Sequence, residues 1–163
     1  MGHELERPYY TRSGYERLLA RIVRAREDYL EVCRSNEEAA GAGDSSVWHD
    51  NFAYEENQRR MHQLATRVRE LEDLARRARI VDGARPESVA IGCRVRVRID
   101  DEREVSWAIA GYDDGDPELG RISYVSPLGR ALIGATRGEI VDATIDKRVR
   151  ELEVLEISVE EVA

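Results

Sequence analysis

Residues 11–40, TRSGYERLLARIVRAREDYLEVCRSNEEAA, decide the fold of the first half of the chain. Their apolar residues recur at alternating steps of three and four, at Tyr15, Leu18, Ile22, Ala25, Tyr29 and Val32. This spacing is typical of a coiled-coil seam. Thr11 is a suitable N-cap, because its hydroxyl can accept a hydrogen bond from a backbone amide of the first turn.

A second seam follows a stretch that is rich in turn-forming residues. Residues 54–78 repeat the spacing at Tyr54, Asn57, Met61, Leu64, Val68, Leu71, Ala75 and Ala78. Residues 41–51, between the seams, contain many glycine, serine, asparagine and aspartate residues, which favour turns. The two seams predict an antiparallel helical hairpin, in which Asn57 is expected to fix the register of the helices.

The hydrophobic period changes after residue 80. Residues 89–99 alternate apolar and charged side chains, which predicts a half-buried strand. Further strands are expected at residues 104–110, 120–125, 139–145 and 151–157, and a short helix at 128–133. The fold class is therefore predicted as α+β. Residues 1–80 would form the coiled-coil hairpin with an acidic tip loop at 41–51, and residues 81–163 a mostly antiparallel β domain.

Composition and charge exclude several classes of protein. The chain has 163 residues and a net charge of −8, with 14 basic and 15 acidic residues up to position 80 and 11 and 18 after it. A protein with this negative net charge is therefore not expected to bind nucleic acid by a uniform electrostatic attraction to the phosphates. Without a long apolar run or a leader, the expectation is a cytoplasmic protein with no membrane partner. Cys33 and Cys93 lack zinc-site spacing, and we expect both to be reduced.

Three local patterns resemble the Gre family of bacterial transcription factors. Thr11-Arg-Ser-Gly-Tyr-Glu-Arg-Leu18 resembles the family opening Thr-x-x-Gly-x-x-x-Leu. Gly43-Asp44 and Asp50-Asn-Phe-Ala-Tyr54 resemble the two halves of the family tip sequence Gly-Asp-x-x-Glu-Asn-Ala-Glu-Tyr. Ser123-Tyr-Val-Ser-Pro-Leu-Gly-Arg-Ala-Leu-Ile-Gly134 is similar to Ser-x-x-Ser-Pro-x-x-x-x-Leu-Ile-Gly and is the most specific of the three.

The resemblance implies a fold and a partner. Family members join a coiled-coil hairpin to an FKBP-like domain, which docks on the rim of the RNA polymerase secondary channel while the hairpin enters it. In the cleavage factors, two acids at the tip help to hold magnesium in the polymerase active site. The resemblance thus implies RNA polymerase as the partner of a monomer that meets nascent RNA only indirectly. It implies no cofactor or stably bound metal beyond magnesium shared with the polymerase.

The tip departs from the family pattern. The matching acids, Asp44 and Asp50, are six residues apart, whereas those of the cleavage factors are three apart. The second is an aspartate where the family has the longer glutamate. Metal ligands must lie within tenths of an ångström of their places, so this spacing favours polymerase binding without cleavage. A genuine cleavage factor remains the alternative.

Other residues are candidate contacts. In the tip, Trp48, His49 and Asn51 would face the channel, although Trp48 could instead fold back on the seam and His49 could be a solvated turn residue. In the second half, Ser123, Ser126 and Pro127 match the loop with which the family meets the polymerase rim. We expect these three to point outward, and Leu132 and Ile133 to enter the core.

Two further classes of protein would explain parts of the sequence. A prolyl isomerase needs an apolar, aromatic-lined pocket. The second half of the chain offers few aromatic residues for one, namely Trp107, Tyr112 and Tyr124. A coiled-coil scaffold or chaperone would explain the hairpin, but it would not explain the acids at the tip or the serine-proline segment.

Overall fold

The structure, a computed structural model, describes residues 8–41, 50–81 and 87–159. Its chain contacts divide into two units. Glu16–Arg77 form one unit, and the residues on either side, up to Tyr15 and from Ala78 onward, form the other. The first described residues of the chain therefore belong with the β unit. No described helix is long and apolar enough to cross a membrane.

Two long helices confirm the predicted hairpin. Helix α1 spans Arg12–Gly41 and helix α2 spans Asp50–Arg77. Arg26 Nε donates to Glu72 Oε1 at 2.9 Å, and Asn36 Nδ2 lies 3.2 Å from Met61 Sδ. Because the partner number falls as the residue number rises, the helices run antiparallel.

The seam is buried as its spacing predicts. Four residues of the α1 seam, Leu18, Ile22, Ala25 and Val32, are buried, and Leu71 of α2 is buried as well. Tyr54 is an exception: its side chain is half exposed, so the prediction that it belongs to the buried seam is wrong. Tyr54 lies in the second turn of α2, and the buried residue of its seam, Leu71, lies near the other end of the helix.

The β unit contains a five-stranded sheet and a two-residue parallel pair. Strands β1 (Tyr9–Tyr10) and β2 (Arg79–Ile80) form the pair. The larger sheet has the order β5-β4-β3-β7-β6. Its strands are β3 (Cys93–Ile99), β4 (Arg103–Ala110), β5 (Arg121–Ser123), β6 (Ile140–Ile145) and β7 (Arg148–Val159). Only β4 and β5 run parallel among its neighbours, so the predicted mostly antiparallel sheet is confirmed.

One apolar core lies on a single face of this sheet. Val95, Val97, Ile109, Leu152 and Val154 are fully buried there. Helix α3 (Pro127–Leu132) contributes the fully buried Leu132 to the same core, so the predicted covering helix is confirmed. The burial of several large aliphatic side chains supplies the main stabilising free energy of the unit.

The opposite face carries a ladder of ion pairs. Strand β3 places arginines between its buried residues, and Arg96 donates to Glu104 at 3.1 Å and to Glu156 at 3.0 Å. Arg98 donates to Glu153 at 2.7 Å. The alternation of apolar and charged residues in the sequence therefore corresponds to a sheet with one packed face and one solvated face.

Replacing Leu152 by alanine tests the core. Leu152 is fully buried, so Leu152→Ala should lower the free energy of unfolding by about 2–5 kcal/mol. The matched control is Val149→Ala on the same strand, where the side chain is 71% exposed and the expected change is within about 0.5 kcal/mol. Urea unfolding followed by circular dichroism measures both. Equal effects in the two variants would contradict the assigned core.

Candidate functional site

The predicted tip lies mostly outside the described residues. Asp44, Trp48 and His49 fall in the gap between residues 41 and 50. Gly41 ends α1, and Asp50 and Asn51 are the first two residues of α2, so the predicted loop 41–51 is helical at both of its ends. The arrangement of the acid pair stays a prediction.

The serine-proline segment is built around a helix cap. Ser126 is the N-cap of α3, and its Oγ accepts a hydrogen bond from the Gly129 N–H at 3.0 Å. The same hydroxyl donates to the Ser123 carbonyl at 2.7 Å. Pro127 occupies the first turn, where it has no amide hydrogen left to satisfy. Ser126 therefore fixes where the helix starts.

Ser123 also makes a hydrogen bond within the fold. Its Oγ donates to the Gly111 carbonyl at 2.8 Å, which ties the end of β5 to the residue after β4. Both serines are half-buried, whereas Pro127 is exposed. Whether these residues also contact a polymerase stays a prediction.

Ile133 is 39% exposed, so the expectation that it enters the core is wrong. It follows the last residue of α3, where the helical turn that buries Leu132 has ended.

Gly129 allows the helix to lie directly on the preceding backbone. A Cβ atom at this position would lie 2.2 Å from the Ser123 carbonyl oxygen and 2.9 Å from the Tyr124 Cα. Both are backbone atoms, which cannot turn aside as the end of a side chain can. The family pattern leaves this position unspecified, so the close contact could not be predicted from that pattern.

Residues 9 and 10 pack against the end of β4 at a second glycine, Gly111. A Cβ atom at Gly111 would lie 2.7 Å from the Tyr9 carbonyl oxygen and 2.8 Å from the Tyr10 Cα. The Tyr112 N–H donates to the Tyr9 carbonyl at 2.8 Å. Tyr10 itself is buried, and its ring meets Tyr15 edge-on. This contact joins segments that are about a hundred residues apart, and sequence analysis missed it.

Thr11 caps α1 as predicted. Its Oγ accepts a hydrogen bond from the Gly14 N–H at 3.0 Å. A Cβ atom at Gly14 would lie 2.7 Å from the Asp114 carboxylate, so the glycine of the Thr-x-x-Gly pattern makes room for a side chain that follows β4. The opening motif thus supports both the helix start and the packing around it.

The described residues offer few groups for chemistry. Among them, no three His, Cys, Asp or Glu side chains lie close enough together to hold a metal ion. Both cysteines are free thiols, and burial raises the pKa of Cys93. A hydrogen bond from Arg150 lowers the pKa of the half-buried Asp100 at the turn after β3.

Removing the hydroxyl of Ser126 tests the cap. Ser126→Ala loses both the acceptor for Gly129 and the donor to Ser123, and should lower the free energy of unfolding by about 1–2 kcal/mol. Thermal unfolding by calorimetry measures the change. The conservative Ser126→Thr keeps a hydroxyl and should recover part of the loss. An unchanged melting temperature in Ser126→Ala would contradict the cap.

Comparison with known proteins places both units in one family. A family model described as "Transcription elongation factor, N-terminal" matches residues 8–80, and one described as "Transcription elongation factor, GreA/GreB, C-term" matches residues 84–159. These two matches cover both the hairpin and the sheet.

Individual relatives are similar over most of their length. The transcription elongation factor GreA of Novosphingobium aromaticivorans is 35% identical over 81% of this chain and 83% of its own. GreA of Trichlorobacter lovleyi is 33% identical over 92% and 96%. The crystal structure of GreA factor homolog 1 from Thermus thermophilus is 25% identical, covers 91% of this chain and 97% of that chain, and has a TM-score of 0.44. The chain therefore belongs to the GreA/GreB family of transcription elongation factors.

Proposed function

We propose that this chain binds bacterial RNA polymerase, inserts its helical hairpin into the secondary channel, and slows transcription by occupying that channel. The observation that carries the proposal is the family match over both units, residues 8–80 and 84–159. In this proposal the protein acts in the cytoplasm as a monomer with no metal or cofactor of its own. It meets nascent RNA only inside the polymerase.

The length of the hairpin helices supports the proposed insertion. Helix α2 has 28 residues, which at about 1.5 Å per residue span about 40 Å. Leu71 of its seam is buried, and Arg26 and Glu72 add an ion pair between the helices. This pair is exposed and contributes little to stability, so the buried seam is what holds the hairpin together.

The spacing of the tip acids favours occupancy of the channel over cleavage of RNA. Asp44 and Asp50 are six residues apart in the sequence, and Asp50 begins α2. A pair of carboxylates completes a magnesium site only if each reaches its place within tenths of an ångström. Docking depends on the rest of the molecule and survives a change at the tip. The protein would thus keep the family's partner without the cleavage reaction.

Transcript cleavage is the second candidate function. Two observations favour it: the tip retains two acids, and the relatives identified above are named transcription elongation factors. In this case the protein would still have no active site alone. Its carboxylates would stimulate the cleavage reaction of the polymerase itself.

Nucleotide addition by a stalled elongation complex separates the two functions. We expect the wild-type chain to slow addition and to raise the apparent KM for nucleotides, because both use the same channel. Replacing residues 42–49 with two glycines should abolish the inhibition, since the joined helices would reach less far. Quenched-flow extension of labelled RNA measures the rates.

Transcript cleavage is measured separately, on a backtracked complex incubated with the wild type, Asp44→Ala or Asp50→Ala. The proposal predicts no 3′ RNA fragments beyond those that the polymerase releases alone. Fragments that appear with wild type and disappear in either variant would overturn it in favour of the cleavage factor. If the wild type neither cleaves RNA nor affects nucleotide addition at saturating concentration, both functions are wrong.

A further inference from the structure

Helix α1 carries a second row of residues with coiled-coil spacing, next to its buried seam. Each residue of this row follows a seam residue by one position, so the row lies about 100° around the helix from the seam. The steps again alternate between three and four residues. We call this row the α1 stripe; its residues are Glu16, Leu19, Val23, Arg26, Leu30 and Cys33.

The centre of the α1 stripe is apolar and exposed. Leu19 is 43% exposed, Val23 is 54% exposed and Leu30 is 53% exposed. The seam residues Leu18 and Ile22, which precede the first two of these, are buried. A spacing that normally buries side chains between helices is thus repeated on a face that is open to solvent. Such a row of large aliphatic side chains is a candidate contact surface, unlike apolar residues that are scattered singly.

Arg26 interrupts the apolar centre without adding an unpaired charge. Its Nε donates to Glu72 Oε1 of α2 at 2.9 Å. The hydrocarbon part of an arginine side chain can cover an apolar neighbour while the guanidinium group keeps its carboxylate partner. A second helix can therefore lie along the α1 stripe without burying an unpaired charge at its centre.

Two copies of the α1 stripe match each other when they run antiparallel. The six positions are symmetric about their middle, so position 19 of one copy lies opposite position 30 of the other, and position 23 lies opposite position 26. Leu19 of each copy would then pack on Leu30 of the other. Val23 would pack on the hydrocarbon part of Arg26. The apolar residues of the stripe are thereby covered in both copies.

The charges at the ends of the α1 stripe favour the same arrangement. In the antiparallel pair Glu16 lies opposite Cys33, and Arg34 is the next residue, so each end brings one carboxylate near one guanidinium group. The side chains of Glu16 and Arg34 are exposed. In a parallel pair each residue would face its own copy, which places Glu16 on Glu16 and Arg26 on Arg26. Facing like charges are repulsive, so the antiparallel pair is favoured.

We propose that the α1 stripe is a self-association surface, on which two copies of this chain pair through antiparallel α1 helices. The inference does not depend on the proposed function, in which the monomer is the form that acts. The paired segment is only about five helical turns long, so the contact is of the small, reversible kind. The dimer therefore forms as the protein concentration rises and returns to monomer on dilution.

Sedimentation equilibrium of the full chain, from micromolar to millimolar concentration, tests the inference. The wild type should change from monomer to dimer over this range. Leu30→Glu should raise the dissociation constant about tenfold or more, because the symmetric pair loses both of its Leu19–Leu30 contacts. The matched control is Leu119→Glu, which alters a leucine of the β unit that is 63% exposed and should leave association unchanged. Melting temperatures equal to that of the wild type show that the variants are folded.

Exchanging the end charges tests the antiparallel register. Glu16→Arg and Arg34→Glu should each weaken the dimer, because each places like charges at both ends of the pair. The double variant should recover most of the wild-type association, because it restores opposite charges.

A disulfide trap tests the same register. In a Cys33→Ser background, Leu19→Cys together with Leu30→Cys should give a covalent dimer on a non-reducing gel. Leu19→Cys alone should not, because the two copies of position 19 would lie about 16 Å apart along the helices.

The outcomes separate the parts of the inference. A wild type that stays monomeric at millimolar concentration overturns the self-association surface and leaves the proposed function standing. A dimer that Leu30→Glu does not weaken overturns the assignment to the α1 stripe. A double charge variant that associates as weakly as the single variants, or a covalent dimer from Leu19→Cys alone and none from the cysteine pair, overturns the antiparallel register.

Discussion

Close approach of backbone to backbone, at two positions where only glycine fits, shapes the surface of the β unit. At Gly129 the start of α3 lies on the Ser123 carbonyl, and at Gly111 the end of β4 lies under residues 9 and 10. Two serine hydroxyls reinforce these contacts, from Ser123 to Gly111 and from Ser126 to Ser123. Together they bring the chain start, the end of β4 and the serine-proline segment to one place. A larger side chain at either glycine would force these segments apart.

Most residues of the serine-proline segment therefore have a structural role. Ser126 caps α3, Pro127 fits the first turn of that helix, and Leu132 fills the core. Pro127 is exposed, whereas Tyr124 packs against the core. The two serine hydroxyls therefore hold the segment in place within the β unit.

Local pattern was enough to predict the helices, most strands and the cap at Thr11, because each depends on the periodic burial of nearby residues or on a single hydrogen bond. The pairing of β1 with β2 and the packing of Tyr9 on Gly111 were not predictable, since they join segments that are distant in the sequence. The prediction that Ile133 enters the core was wrong because α3 ends at Leu132 and Ile133 follows it outside the helix. The tip acids follow from the family pattern alone, and no pattern sets their separation in space.

The most direct test of polymerase binding by the β unit, through the surface around residues 112 and 126, is site-specific photocrosslinking. A p-benzoylphenylalanine is placed at position 112 in one protein and at position 149 in another, and each is irradiated with an elongation complex. A crosslink to a polymerase subunit is expected from position 112 and none from position 149, because Val149 lies on the strand next to the opposite edge of the sheet. A crosslink from position 149 without one from position 112 would contradict it.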